Sequence, residues 1–278
     1  MDGQKVAIVT GSSSGIGFET SLLLARSGYV TFATMRDLRK GGLLKKIVIK
    51  EEIPLTVSPL DVTDQYSVSK GIGSIFRKAG RIDILINNAG YGLTGAFEDL
   101  SIEEIRSQYE TNFFGLIRTT QAVLPIMRDQ KSGIIINLSS GLGRFGIATN
   151  SAYVSSKFAV EGLTESISYE LEPFGIRTII IEPGIIKTNF LNSSKLARKA
   201  RDPNSPYKNF MQNSEKGINK LNESGQDPGI VANIIKESIE DTNPRLRYLA
   251  GKDVEQIMEI KNKLSDEDFH SMLKKMGD

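Results

Sequence analysis

The chain has 278 residues, more than the ~150 typical of one domain but within reach of a single α/β domain. Basic and acidic side chains nearly balance, 35 against 33, so the charge points to no nucleic-acid partner. The absence of cysteine excludes disulfides, thiolate metal sites and cysteine nucleophiles, and a single histidine, His270, excludes a multi-histidine metal centre. A Ser-His-Asp hydrolase would have to use His270. Met1 to Lys5 runs into an apolar strand-like segment without a signal-peptide pattern, and no apolar run approaches the ~18 residues of a membrane span. A soluble, cytoplasmic protein without a membrane span is expected.

Short β-branched runs recur at Val6–Thr10, Tyr29–Ala33, Leu55–Val57, Ile84–Ile86, Ile134–Ile136, Thr178–Ile181 and, more weakly, Arg247–Ala250. They do not alternate with polar residues, as expected of strands buried on both faces. Helical periodicity fills the intervals at Ile16–Ser27, Gln65–Ala79, Ile102–Asp129, Tyr153–Leu171 and Pro228–Glu240. Ser101-Ile102-Glu103-Glu104 reads as a capping box and Asp227-Pro228 as an N-cap followed by proline, while Gly28 and Pro173 are stop signals. Strand alternating with helix predicts an α/β fold: one doubly wound domain over residues 1–278, with a parallel sheet of seven strands and helices on both faces. Residues 187–227, rich in Asn, Ser, Lys and Gly, break the rhythm and read as a lid insertion, or as a solvated loop with a short helix near Lys195–Ala200. Residues 252–278 read as a C-terminal helical extension broken at Ser265-Asp266.

Thr10-Gly11-Ser12-Ser13-Ser14-Gly15-Ile16-Gly17 follows the first strand and opens the first helix. Glycines there let backbone approach a pyrophosphate held at a helix N-terminus, which makes Gly11, Ser13, Ser14, Gly15, Ile16 and Gly17 candidates for binding a dinucleotide. The spacing differs from G-x-G-x-x-G, and the Gly-Lys-Ser/Thr of a phosphate-binding NTPase loop is missing. An acidic residue ~20 positions on takes ribose hydroxyls in such folds, whereas an arginine accommodates a 2′-phosphate. Here Met35 falls in the acidic slot and Arg36 follows it, which favours NADP(H) over NAD(H). A register two residues different would bring Asp37 to the ribose and reverse that preference.

Tyr153 and Lys157 lie four residues apart, on one face of a helix. Ser140 sits upstream at the end of a buried strand, where parallel sheets collect ligand-facing residues. The glycine turn, Asp61-Val62, Asn87-Asn88-Ala89-Gly90, Asn112, Ser140, Tyr153-x-x-x-Lys157 and Pro183-Gly184 stand in order along the chain. Together they resemble the short-chain dehydrogenase/reductase family, in its compact single-domain Rossmann form, from about Lys5 to Ala250.

The resemblance implies hydride transfer between a nicotinamide and a carbonyl or alcohol. Tyr153 would be the general acid or base, and Lys157 the cation that lowers its pKa and binds the nicotinamide ribose. Ser140 would polarise the substrate oxygen, and Asn112 would hold a water that relays protons to the lysine. Asp61 and Val62 would meet the adenine, Asn88, Ala89 and Gly90 the adenosine side, and Pro183, Gly184, Ile186 and Thr188 the carboxamide end. The substrate would be a ketone, aldehyde or alcohol, the chain being similar to hydroxysteroid and retinol dehydrogenases. A large pocket would be lined by Phe145, Leu191 and Phe210. A 3-oxoacyl-thioester reductase and a non-catalytic NADP-binding scaffold or redox sensor are the alternatives. The family resemblance also implies a homodimer or homotetramer.

Overall fold

The β-branched runs all become strands. With two further short strands, β5 and β8, the strands in chain order are β1 (Val6–Val9), β2 (Val30–Met35), β3 (Leu55–Pro59), β4 (Ile84–Asn87), β5 (Leu93–Thr94), β6 (Gly133–Leu138), β7 (Ile176–Pro183), β8 (Lys195–Leu196) and β9 (Arg247–Ala250). The helices are α1 (Gly15–Arg26), α2 (Gly42–Glu51), α3 (Gln65–Ala79), α4 (Ile102–Tyr109), α5 (Gly115–Gln130), α6 (Ser151–Leu171), α7 (Lys208–Ser224), α8 (Pro228–Glu240), α9 (Lys252–Lys263) and α10 (Asp266–Gly277). The computed structural model describes residues 3–188 and 194–277.

Seven strands pair in parallel in the order β3-β2-β1-β4-β6-β7-β9. Alternate side chains of each strand enter different cores. Val6 and Ile8 of β1 join Leu85 and Ile135 against α3 and α5. Ala7 and Val9 join Ile86, Ile136 and Ile179 against α1 and α8. Both faces are therefore apolar, which is why the strands read as continuous runs. The chain departs from β1 toward β2 on one side and returns through β4 on the other, so a crevice opens at the carboxyl ends of β1 and β4.

The expected helix starts are present. Ser101 and Glu104 exchange both capping-box bonds, and Asp227 accepts from the Gly229 N–H at 2.7 Å. Three expectations need correction. The helix over Gly42–Glu51 was not anticipated, because Leu44 is its one fully buried residue while Leu43 and Ile49 face solvent. The expected helix Ile102–Asp129 is interrupted by a π-helical turn, Glu110–Phe114, between α4 and α5. The insertion holds no short helix at Lys195–Ala200. Those residues form β8 and a turn, with β8 paired in parallel to β5, and the long helix α7 follows.

Ala197, Ala200 and Met211 of the insertion pack on Leu93, Ala96 and Leu100, a small third core that anchors it. Helices α9 and α10 follow β9, with Ser265 capping α10 by accepting from the Asp268 N–H at 3.1 Å. Among the described residues no helix is long and apolar enough to cross a membrane.

Candidate active site

The glycine turn leaves β1 through Thr10, whose hydroxyl accepts from the N–H groups of Asn88 and Ala89, both at 3.0 Å. Asn88 returns its amide to the carbonyls of Thr10 at 2.8 Å and Gly11 at 3.2 Å. This exchange needs close backbone approach. A Cβ on Gly11 would lie 2.8 Å from Ala89 Cα, and one on Gly17 would lie 2.4 Å from the Asn88 amide nitrogen. Gly11 and Gly15 also adopt φ of 69° and 60°, which side chains rarely tolerate.

Ser12 turns inward, donating to Val9 O at 2.8 Å, while Ile16 packs beside the apolar core. Ser14, at the N-cap of α1, gives no side-chain cap to that helix. Its first-turn N–H groups, together with Ser13 and Ser14, thus offer donors and a positive helix end to an anion. Asn88, Ala89 and Gly90 lie beside this turn, and the residues present fit a dinucleotide pyrophosphate.

Met35 is the last residue of β2 and is buried, while Arg36 is exposed, with no hydrogen bond or ion pair among the described residues. Both Asp37 carboxylate oxygens are taken by the Arg39 side chain at 2.8 and 2.9 Å, and these hydrogen bonds hold the Asp37 pKa at about 2. Asp61 accepts from the Thr63 N–H and hydroxyl at 3.0 and 2.8 Å, and the adjoining Val62 packs closely on Gly115.

Tyr153 and Lys157 project from α6 toward the end of β6. Ser140 begins a single 3₁₀ turn, accepting from the Leu142 N–H at 3.2 Å, and hydrogen-bonds the Tyr153 phenol. The Lys157 ammonium donates to Leu138 O at 2.6 Å and lies 5.6 Å from the centre of the Tyr153 ring. Burial pushes the phenol up to about 12, against an opposing hydrogen bond from Ser140. The phenol is thus raised, where a lowering beside Lys157 was expected, with burial the largest cause. The same burial pulls Lys157 down to about 8, opposed by the Glu161 carboxylate.

Asn112 occupies the π-helical turn and is buried, but its side chain is already engaged. It accepts from the Tyr91 N–H at 3.0 Å and donates to Tyr91 O at 3.0 Å, with a longer contact to Ser156 Oγ at 3.4 Å. In this arrangement the asparagine fixes the segment after Gly90.

On the far side of Ser140, Pro183-Gly184 ends β7. Ile186 points into the core with Val231 and Ile235 rather than into the crevice, so only its backbone can face a ligand. Thr188 reaches across to the glycine turn, since a Cβ on Gly15 would lie 3.1 Å from Thr188 Cβ. Thr188 therefore lies beside Gly15 of the glycine turn. Phe145 stacks edge-on with Phe269 of α10 at 5.6 Å, Phe210 is half exposed, and Leu191 lies outside the described residues.

Sequence reasoning missed Glu161, one helical turn beyond Lys157. It is buried and meets Arg247 at 2.9 Å. Arg247 and Arg144 both reach the buried Glu182, at 3.7 and 3.0 Å. Burial raises the Glu161 carboxyl, with Glu182 adding to the rise and Arg247 and the nearby Ser139 hydroxyl opposing it. Its i+4 spacing from Lys157 was the signal available in the sequence.

Comparison with known proteins agrees with this geometry. Residues 5–199 match the short chain dehydrogenase family. The chain is 34% identical to a 3-ketodihydrosphingosine reductase of Bacteroides thetaiotaomicron, covering 93% of this chain and 92% of that one. It is 35% identical to retinol dehydrogenase 8 of Bos taurus, over 88% and 81% of the two chains. A short-chain dehydrogenase from Streptomyces avermitilis superposes with a TM-score of 0.81 at 29% identity, covering 98% of each chain. Solved structures sharing the fold include one from Burkholderia phymatum in complex with NAD and an alcohol dehydrogenase from Thermococcus sibiricus complexed with 5-hydroxy-NADP.

The buried lysine makes a testable demand on stability. With its folded pKa near 8 and an unfolded value near 10.5, Lys157 holds fewer protons in the folded state between those limits. The unfolded chain binds the extra proton, so stability rises with pH across this window. Urea unfolding of the wild type should show a gain approaching about 3 kcal/mol between pH 8 and 10.5 that Lys157→Met lacks. Parallel pH dependences for the two proteins would refute the assignment.

Proposed function

The chain belongs to the short-chain dehydrogenase/reductase family, an oxidoreductase family, and on that premise we propose that it transfers hydride between NADP(H) and an apolar ketone, aldehyde or alcohol. The convergence of Ser140, Tyr153 and Lys157 beside the uncapped N-terminus of α1 carries this reading. When bound, the dinucleotide supplies or receives the hydride. Ser140 would donate a hydrogen bond to the substrate oxygen, and Tyr153 would give that oxygen a proton as negative charge develops on it. The buried phenol is protonated at neutral pH and so can act as the donor. Lys157, titrating near 8, would renew that proton and hold ribose hydroxyls, and its contact with Leu138 O aims the ammonium.

The preference for NADP(H) rests on the end of β2. Met35 is buried, Asp37 is engaged by Arg39, and Arg36 is left to meet a 2′-phosphate. The substrate class rests on the activities of the two relatives, a 3-ketodihydrosphingosine reductase and a retinol dehydrogenase, and on the aromatic Phe145–Phe269 contact, Phe145 lying in the loop that follows Ser140. A homodimer or homotetramer would form through the outward faces of α4–α5 and α6, where Ile102, Phe114, Phe158 and Tyr169 are exposed.

Three outcomes test this. Tyr153→Phe should lower NADPH-dependent reduction of long-chain ketones or retinal by ~10²- to 10⁴-fold while NADPH still binds. Retained turnover would exclude the tyrosine as acid. Arg36→Ala should raise KM for NADPH ~10- to 100-fold and leave KM for NADH nearly unchanged. Equal effects on both cofactors would remove the phosphate role. Sedimentation equilibrium should return a multiple of the 30.6 kDa chain mass, and a single-chain mass would exclude the assembly.

A further inference from the structure

We propose that Asp253, in the first turn of α9, is a positioning residue for the nicotinamide end of the crevice. Its carboxylate ties the C-terminal extension, the Pro183-Gly184-Ile185 turn and the returning stem of the insertion into one unit. This rests on the reading of that turn as the seat of the nicotinamide carboxamide.

One carboxylate oxygen accepts from the Ile185 N–H at 2.7 Å, and the other accepts from the Gln226 side-chain amide at 2.8 Å. Gln226 is the residue on which the insertion returns. Its N–H donates to Ile185 O at 2.9 Å, and its carbonyl accepts from the Lys187 N–H at 2.7 Å. Both stems of the insertion are thus paired to each other where Asp253 holds them. Across the same turn, Gly184 N–H donates to Ala250 O at 3.0 Å, closing the end of β7 against β9.

Gly184 is glycine for a reason unrelated to its dihedral angles, since its φ is not in the left-handed region. A Cβ there would lie 2.3 and 2.4 Å from the two Asp253 oxygens. Gly251, with φ of 134°, would place a Cβ 2.8 Å from the same carboxylate and 2.9 Å from the Gln226 amide nitrogen. Two glycines therefore clear space for one acid. Among the described residues no cation pairs with Asp253, so its charge is spent on two neutral N–H donors, and such bonds are stronger than neutral ones. An acid in a first helical turn also favours the helix itself. The two roles separate experimentally, because only the first acts on the nicotinamide half of a ligand.

The test is calorimetric titration of the full chain with NADPH and with 2′-phospho-ADP-ribose, which keeps the adenosine half and lacks the nicotinamide. Asp253→Ala should weaken NADPH ~10-fold or more and leave 2′-phospho-ADP-ribose unchanged. The double variant Asp253→Asn/Gln226→Glu keeps an acceptor for the Ile185 N–H and reverses the polarity of the second bond, and it should recover most of the NADPH affinity. Equal losses for both ligands would reduce Asp253 to a helix-stabilising role, and unchanged NADPH affinity would remove the role altogether. A wild type that binds neither ligand would overturn the proposed function itself, and the inference with it.

Discussion

Parallel pairing of β1, β4, β6 and β7 is the constraint on which the rest of the molecule depends. A parallel ladder sends every connection back across a face, so all strands end on one edge and both faces must be covered. That edge receives Thr10, Asn88, Ser140 and Pro183 from four separated stretches of chain. The helices that cover the faces then bring the other half of the chemistry, α1 through its N-terminus and α6 through Tyr153 and Lys157.

Burial of the tyrosine and lysine is costly to the fold and useful to the site. Neither charged form is favoured away from water, and the pair is shifted in opposite directions for that reason. Glu161 moderates the shift of Lys157 from one helical turn away, while Arg247 and Arg144 balance the acids behind it. Arg144 belongs to the loop after Ser140, so the charge cluster links the loop beside the serine to the helix beside the lysine.

The sheet and the crevice were legible because their signals are local. Strands buried on both faces are written as β-branched runs, and Gly11, Ser140, Tyr153 and Lys157 fall at strand or helix positions fixed by spacing. The elements that escaped depend on distant partners. Helix α7 has a polar composition and gains its anchor, Met211, from residues of another segment. The π-helical turn at Asn112 inserts an extra residue without interrupting the helical pattern. Thr188 meets Gly15, and Gly184 clears space for Asp253, across long stretches of sequence. Where such contacts decide geometry, a residue's neighbours in sequence carry no trace of them.

Beneath the crevice, Asn87 of β4 stands in register with Asn137 of β6 and donates its amide to it at 2.8 Å. Thr119 donates to Asn87 at 2.6 Å and Asn137 donates to Thr164 at 2.9 Å, so each amide of this buried pair is engaged. A slip of the two strands by one residue would set Asn87 against Ile136 or Leu138 and break the buried amide pair. The runs flanking them, Ile84–Ile86 and Ile134–Ile136, are nearly uniform and would tolerate such a slip on apolar grounds. The asparagines therefore act as a key for the sheet: the apolar runs alone would accept more than one offset, and the amide pair makes only one of them free of buried, unpaired polar groups.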